Sequence, residues 1–61
     1  MRLRELRNKI GLTQEKLSLK VGVSQNTISQ WETGERTPKT EKLLELAHIF
    51  GCTVDELLRG D

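Results

Sequence analysis

One cysteine, one proline and two aromatic residues, Trp31 and Phe50, are all that the 61 residues hold of those types. A lone cysteine cannot form an internal disulfide, which agrees with a reducing compartment. No apolar run approaches the ~20 residues of a membrane span, and no signal peptide precedes the first helical segment, so a cytoplasmic place is expected. The chain also lacks a glycine-rich phosphate loop and paired carboxylates in an evident cleft, and it has little volume for a substrate pocket. His48 and Cys52 are the only soft metal-ligand candidates. Straddling a helix end without another Cys or His, they cannot complete a zinc site. Cys52 has neither a visible base nor an electropositive pocket to make it a nucleophile. The expectation is therefore no catalytic residue, no cofactor, no metal, no membrane and no small-molecule substrate.

A chain of this length allows one domain, residues 1–61, and a domain so small buries only ~60% of its unfolded surface, so each apolar position matters. The net charge of +1 alone argues weakly against a nucleic-acid partner. Its distribution argues the other way. Residues 1–39 carry eight Lys and Arg against four Glu, whereas residues 40–61 carry two against five Asp and Glu. One end can face phosphate while the other faces away.

Gly11, Gly22, Gly34, Gly51 and Gly60 each follow a segment of helical period, which predicts five helices closed by left-handed glycines. The first, about 2–10, places Leu3, Leu6 and Ile10 on one stripe, with Arg2, Arg4 and Lys9 outside it and Arg7 beside it. In the second, Leu17 and Val21 face the core, Ser18 allows close approach to the third, and Leu19 falls on the far side. The fourth, about 41–50, buries Leu43, Leu46, Ala47 and Phe50, with Leu44 widening the stripe and Thr40 as the expected cap. Thr53-Val54-Asp55-Glu56 reads as a capping box opening a fifth helix, with Cys52 and Leu57 as its staple and Val54 or Leu58 partly exposed.

The stretch 13–32 organises the rest. Thr13 and Ser24 are placed to cap two short helices, and Gly22 sits where the first of them must end and the chain reverse. Val23 and Ile28 are spaced as a hydrophobic staple that sets the exit angle of the second. At about 100° per residue, Ile28 and Trp31 share one face of that second helix, while Asn26, Ser29, Gln30 and Thr33 occupy the other and Gln25 its edge. A merely solvated face usually carries Lys and Glu, which are better helix formers. Amides and hydroxyls suit base edges instead, since Gln or Asn can pair bidentately with adenine N6 and N7, and Ser or Thr can bond several bases.

Gln14, Leu17, Gly22, Val23, Ser24, Thr27, Ile28, Trp31, Glu32, Gly34 and Pro38 together resemble the TQxxL…xGVSxxTIxxWExGxxxP pattern of the phage repressor and Cro-like helix-turn-helix family, over nearly the whole chain. The resemblance implies an all-α, five-helix, lambda-repressor-like domain whose helices 2 and 3 form the helix-turn-helix. It implies sequence-specific binding of double-stranded DNA, with residues about 25–33 in the major groove of a palindromic operator, a homodimer on DNA, and repression of transcription by promoter occlusion. Gln25, Asn26, Ser29 and Gln30 are then expected to read bases, and Gln14, Thr27, Arg36 and Lys39 to contact the backbone, with Arg2 and Arg4 as weaker electrostatic candidates. Gln14 is also expected to brace Gln25. The resemblance sets Arg7 against Glu32 as a structural ion pair. Glu35 departs from the pattern, because a basic residue is common there and a carboxylate repels phosphate. With Leu19 and the low net charge, it keeps open the alternative of a protein-interaction module or antitoxin-like subunit that retains the fold.

Overall fold

Three helices begin on a serine or threonine whose hydroxyl oxygen accepts a first-turn backbone N–H: Thr13 from Lys16 at 3.1 Å, Ser24 from Thr27 at 3.1 Å, and Thr53 from Glu56 at 3.0 Å. Such caps satisfy donors that the helix itself leaves unpaired. The last is a full capping box, since the Glu56 carboxylate accepts in return from the Thr53 N–H at 3.0 Å. In the computed structural model, which describes residues 1–59, the elements are α1 (Leu3–Lys9), α2 (Gln14–Val21), α3 (Gln25–Thr33), α4 (Thr40–Phe50) and α5 (Val54–Leu58), with no strand among the described residues. The stop expected at Gly60 lies outside them. Gly11, Gly22, Gly34 and Gly51 all have positive φ, as the sequence predicts. At Gly22 the consequence is plain: φ of 76° lets the Gly22 and Val23 N–H groups turn back onto the Ser18 carbonyl, at 2.8 and 3.0 Å, and reverses the chain between α2 and α3.

Each helix sends one aliphatic side chain to a common centre. Leu3, Leu17, Ile28, Leu46 and Leu57 are wholly buried, and Leu6, Val21 and Trp31 complete the cluster. Leu12, Val23, Leu43, Ile49, Phe50 and Cys52 pack around it half-buried. Ser18 is buried where α2 meets α3, and its hydroxyl donates to the Glu15 carbonyl at 2.6 Å, so the small residue at the crossing leaves no polar atom unpaired. The Arg2 N–H donates to the Leu57 carbonyl at 3.0 Å and fastens the start of the chain to α5. Lys42 of α4 reaches the last carbonyl of α2, Val21, at 2.8 Å, a cation at the negative end of a helix.

Four expectations need correction. Ile10 is 45% exposed, because α1 ends at Lys9 and the chain turns before residue 10 reaches the α1 stripe. Leu44 is 57% exposed, and Ile49 packs against the core in its stead. The helix-start residue of α4 is Lys39, with extended backbone (φ −71°, ψ 163°) and no side-chain cap; Thr40 is already helical and cannot serve. Lastly, the Gln14 amide does not brace Gln25 but donates to Glu32.

Candidate nucleic-acid interface

The arrangement begins inside, at Glu32. Its side chain has no exposed surface, and its two oxygens accept four hydrogen bonds: Arg7 Nε at 2.6 Å and Nη2 at 3.3 Å, Gln14 Nε2 at 2.9 Å, and Arg4 Nε at 3.3 Å. Arg7 also donates through Nη1 to the Leu12 carbonyl at 2.8 Å. A buried carboxylate persists only when paired and hydrogen-bonded. This one joins α1, α2 and α3 at a single point and so fixes how α3 sits on the rest. Gln14 is held at its amide nitrogen from within, which orients the first turn of α2. Sequence alone gives Glu32 one partner; that Arg4 and Gln14 share it depends on side-chain reach across three helices.

Burial pushes the Glu32 carboxyl up, but the hydrogen bonds from Arg7, Gln14 and Arg4 outweigh it and hold the group below its ordinary value of 4.5. A carboxyl depressed in the folded state contributes stability that is present above 4.5 and is lost as pH falls through the lower folded value. Urea midpoints measured on acidification should therefore hold steady down to about pH 4.5, decline below it, and level off once the pH is under the folded value. In Glu32→Gln the decline should be shallower; an unchanged acid limb would show that Glu32 does not carry it.

On the outer side of α3, Gln25, Asn26 and Thr33 are exposed, and Thr27, Ser29 and Gln30 are half-buried. Two neighbouring surface depressions share Asn26. One is lined by Gln14, Gln25, Asn26 and Ser29. The other runs along α3 to the following loop, where Asn26, Thr27 and Gln30 meet Arg36 and Lys39, with Lys42 at the start of α4. All eight residues expected to touch bases or backbone thus line one continuous stretch of surface, amides and hydroxyls in the middle and cations at one end. The Thr27 hydroxyl lies 2.9 Å from that of Ser24, so both are ordered at the N-terminus of α3. The Gln30 amide donates to Glu35 at 3.3 Å.

Lys42 lines this surface as well, outside the residues that the sequence pattern assigns to it. Its signal was there: a lysine in the first turn of a helix opposes the helix dipole, and three residues after Lys39 it falls on the same side. Cys52, by contrast, is half-buried, and burial and the nearby Glu56 raise its thiol pKa against a weaker opposing pull from Arg2, the reverse of an activated nucleophile. Among the described residues no three or more His, Cys, Asp or Glu are grouped to hold a metal, and no helix is long and apolar enough to cross a membrane.

A model of the helix-turn-helix family matches residues 3–57. Repressor protein C2 of Salmonella phage P22 is 45% identical over 60 residues, covering 98% of this chain and 28% of that protein. The HTH-type transcriptional activator BcrR of Enterococcus faecalis is 42% identical over 60 residues, again 98% of this chain and 29% of the relative. The chain therefore spans less than a third of the length of either. Among solved structures, the P22 c2 repressor in complex with synthetic operator 9T in the presence of Tl+ superposes with a TM-score of 0.90 at 45% identity, covering 98% of this chain and 91% of that one.

Proposed function

The chain belongs to the helix-turn-helix family, and on that footing we propose that it binds double-stranded DNA in a sequence-specific way and regulates transcription, with α3 in the major groove. One observation carries the reading: the amide and hydroxyl face of α3 is continuous with the cationic loop Arg36 to Lys39, at the edge where phosphates flank a helix lying in the groove. Gln25, Asn26, Ser29 and Gln30 read base edges, while Gln14, Thr27, Arg36 and Lys39 position the backbone. Lys42 closes that edge, with its ammonium held by the Val21 carbonyl at 2.8 Å and by Glu45 at 3.5 Å. The mechanism is occupancy, not catalysis. Bound as a two-fold dimer to a palindromic operator in the cytoplasm, the protein represses by denying a promoter to other proteins. A structural neighbour solved in complex with a synthetic operator supports the DNA-binding part of this reading.

The test is a polarisation titration on random and selected duplexes over a range of salt. A DNA reader retains weak, steeply salt-dependent binding to random duplex, whereas a protein-interaction module of the same fold does not. Specificity and affinity should then separate on mutation. Gln25→Ala or Asn26→Ala should cost about 1–3 kcal/mol at particular base pairs, while Lys39→Ala should weaken all sequences alike and lower the salt slope by about one unit. Uniform losses from Gln25→Ala across operator variants would remove it from the base-reading set.

A further inference from the structure

Glu35 is the residue that a phosphate-facing surface least favours, yet the turn after α3 is built to hold it near the reading face. The Gln30 carbonyl accepts from both Thr33 Oγ1 and the Arg36 N–H at 3.2 Å, and the Glu35 N–H donates to Thr33 Oγ1 at 3.4 Å. The chain is folded back on Gln30, and the Glu35 carboxylate accepts from the Gln30 side-chain Nε2 at 3.3 Å. A primary amide offers two N–H donors and one carbonyl oxygen. With one N–H committed to Glu35, the other N–H and the oxygen remain as a donor and acceptor pair, the combination that adenine N7 and N6 require. An unheld amide turns between two orientations about its broad last torsion, and presents donor and acceptor in either order.

Resting on the reading of α3 as the base-reading helix, the geometry points to Glu35 as a positioning residue for sequence selectivity, whose carboxylate sets which edge of the Gln30 amide faces the base. It does so while giving up some attraction to phosphate. The two effects have opposite signs, which makes them separable.

The experiment compares the wild type with Glu35→Ala and Glu35→Gln, each also in a Gln30→Ala background. Binding is measured at low and moderate salt on a random duplex and on the wild type's selected site with every position varied. Glu35→Ala should bind random duplex about twofold more tightly at low salt, as expected for removing one like charge near the backbone. It should also lose about fivefold or more of the discrimination at one base pair, the scale of a good bidentate contact. Glu35→Gln keeps an accepting oxygen without the charge, so it should gain the affinity and keep the discrimination. In the Gln30→Ala background, Glu35→Ala should leave the base profile unchanged. Steep salt-dependent binding by the wild type with an unaltered profile in Glu35→Ala, or a profile change that persists without Gln30, would overturn the role of Glu35 and leave DNA binding intact. Absence of salt-dependent duplex binding by the wild type would overturn the DNA-binding reading itself. Glu35 is exposed, so Glu35→Ala and Glu35→Gln should each keep the thermal midpoint of the background that carries them, and that measurement accompanies each titration.

Discussion

Arg7→Met or Glu32→Leu alone is expected to cost roughly 3–5 kcal/mol of folding free energy, while the double variant recovers much of that loss. The reason is the state of the group left behind. Arg7 is 11% exposed and Glu32 has no exposed side-chain surface, so neither can turn to water when its partner goes. Removing Glu32 also strips the Gln14 amide and Arg4 of their acceptor, whereas removing Arg7 leaves Glu32 with those two donors. Glu32→Leu should therefore be the more damaging single change. In a domain whose whole stability is on the order of 5–15 kcal/mol, either loss should appear as a large drop in unfolding midpoint. Arg4→Ala is the internal control: Arg4 is 62% exposed, its pairing is screened by solvent, and its midpoint should move little. Strictly additive shifts in the Arg7 and Glu32 double-mutant cycle would refute the account.

The helix count and the turn between α2 and α3 were legible in the sequence because each is decided locally. A hydroxyl at Thr13, Ser24 or Thr53 has backbone donors within three residues, and a glycine at residue 22 or 51 answers to its own φ. Ile10, Leu44 and the start of α4 were misread for a shared reason. Periodicity assigns a residue to a stripe but does not say where the helix carrying it stops or which neighbour covers that stripe. The α1 stripe runs out at Lys9, and Leu44 faces outward although Leu43 before it packs on the core and Leu46 and Ala47 after it are buried. In the site, face membership was legible from the angular pattern of α3. What escaped were contacts between elements: Gln14 and Arg4 on Glu32, Lys42 on the end of α2, and Glu35 on Gln30. Each joins residues whose meeting depends on the packing angle of helices or the return path of a loop, and neither is encoded in spacing.

Leu58→Asp is expected to weaken binding to a full palindromic operator roughly 10–100-fold while leaving affinity for a single half-site nearly unchanged. A recognition helix of nine residues covers few base pairs, so selectivity grows by doubling. A two-fold axis places two copies of α3 about 34 Å apart, in successive major grooves on one side of the duplex. The surface available for the contact is a depression lined by Met1, Trp31, Thr33, Arg36, Thr37 and Leu58, where α5 meets the loop that leaves α3. Met1 is 38% and Leu58 45% exposed there, beside the Arg36 to Lys39 loop that flanks the reading face. Fully burying a leucine side chain is worth roughly 1.5–3 kcal/mol, and Leu58 has about half of its surface left to bury, so two copies contribute about 2 kcal/mol. That is too little to hold a dimer together in dilute solution, but it is enough to couple two half-sites once DNA aligns them. An aspartate removes this term and sets two like charges against each other across the axis. Sedimentation should therefore show largely monomeric protein at low concentration and two copies per full operator at saturation; one copy per full operator would exclude the dimer.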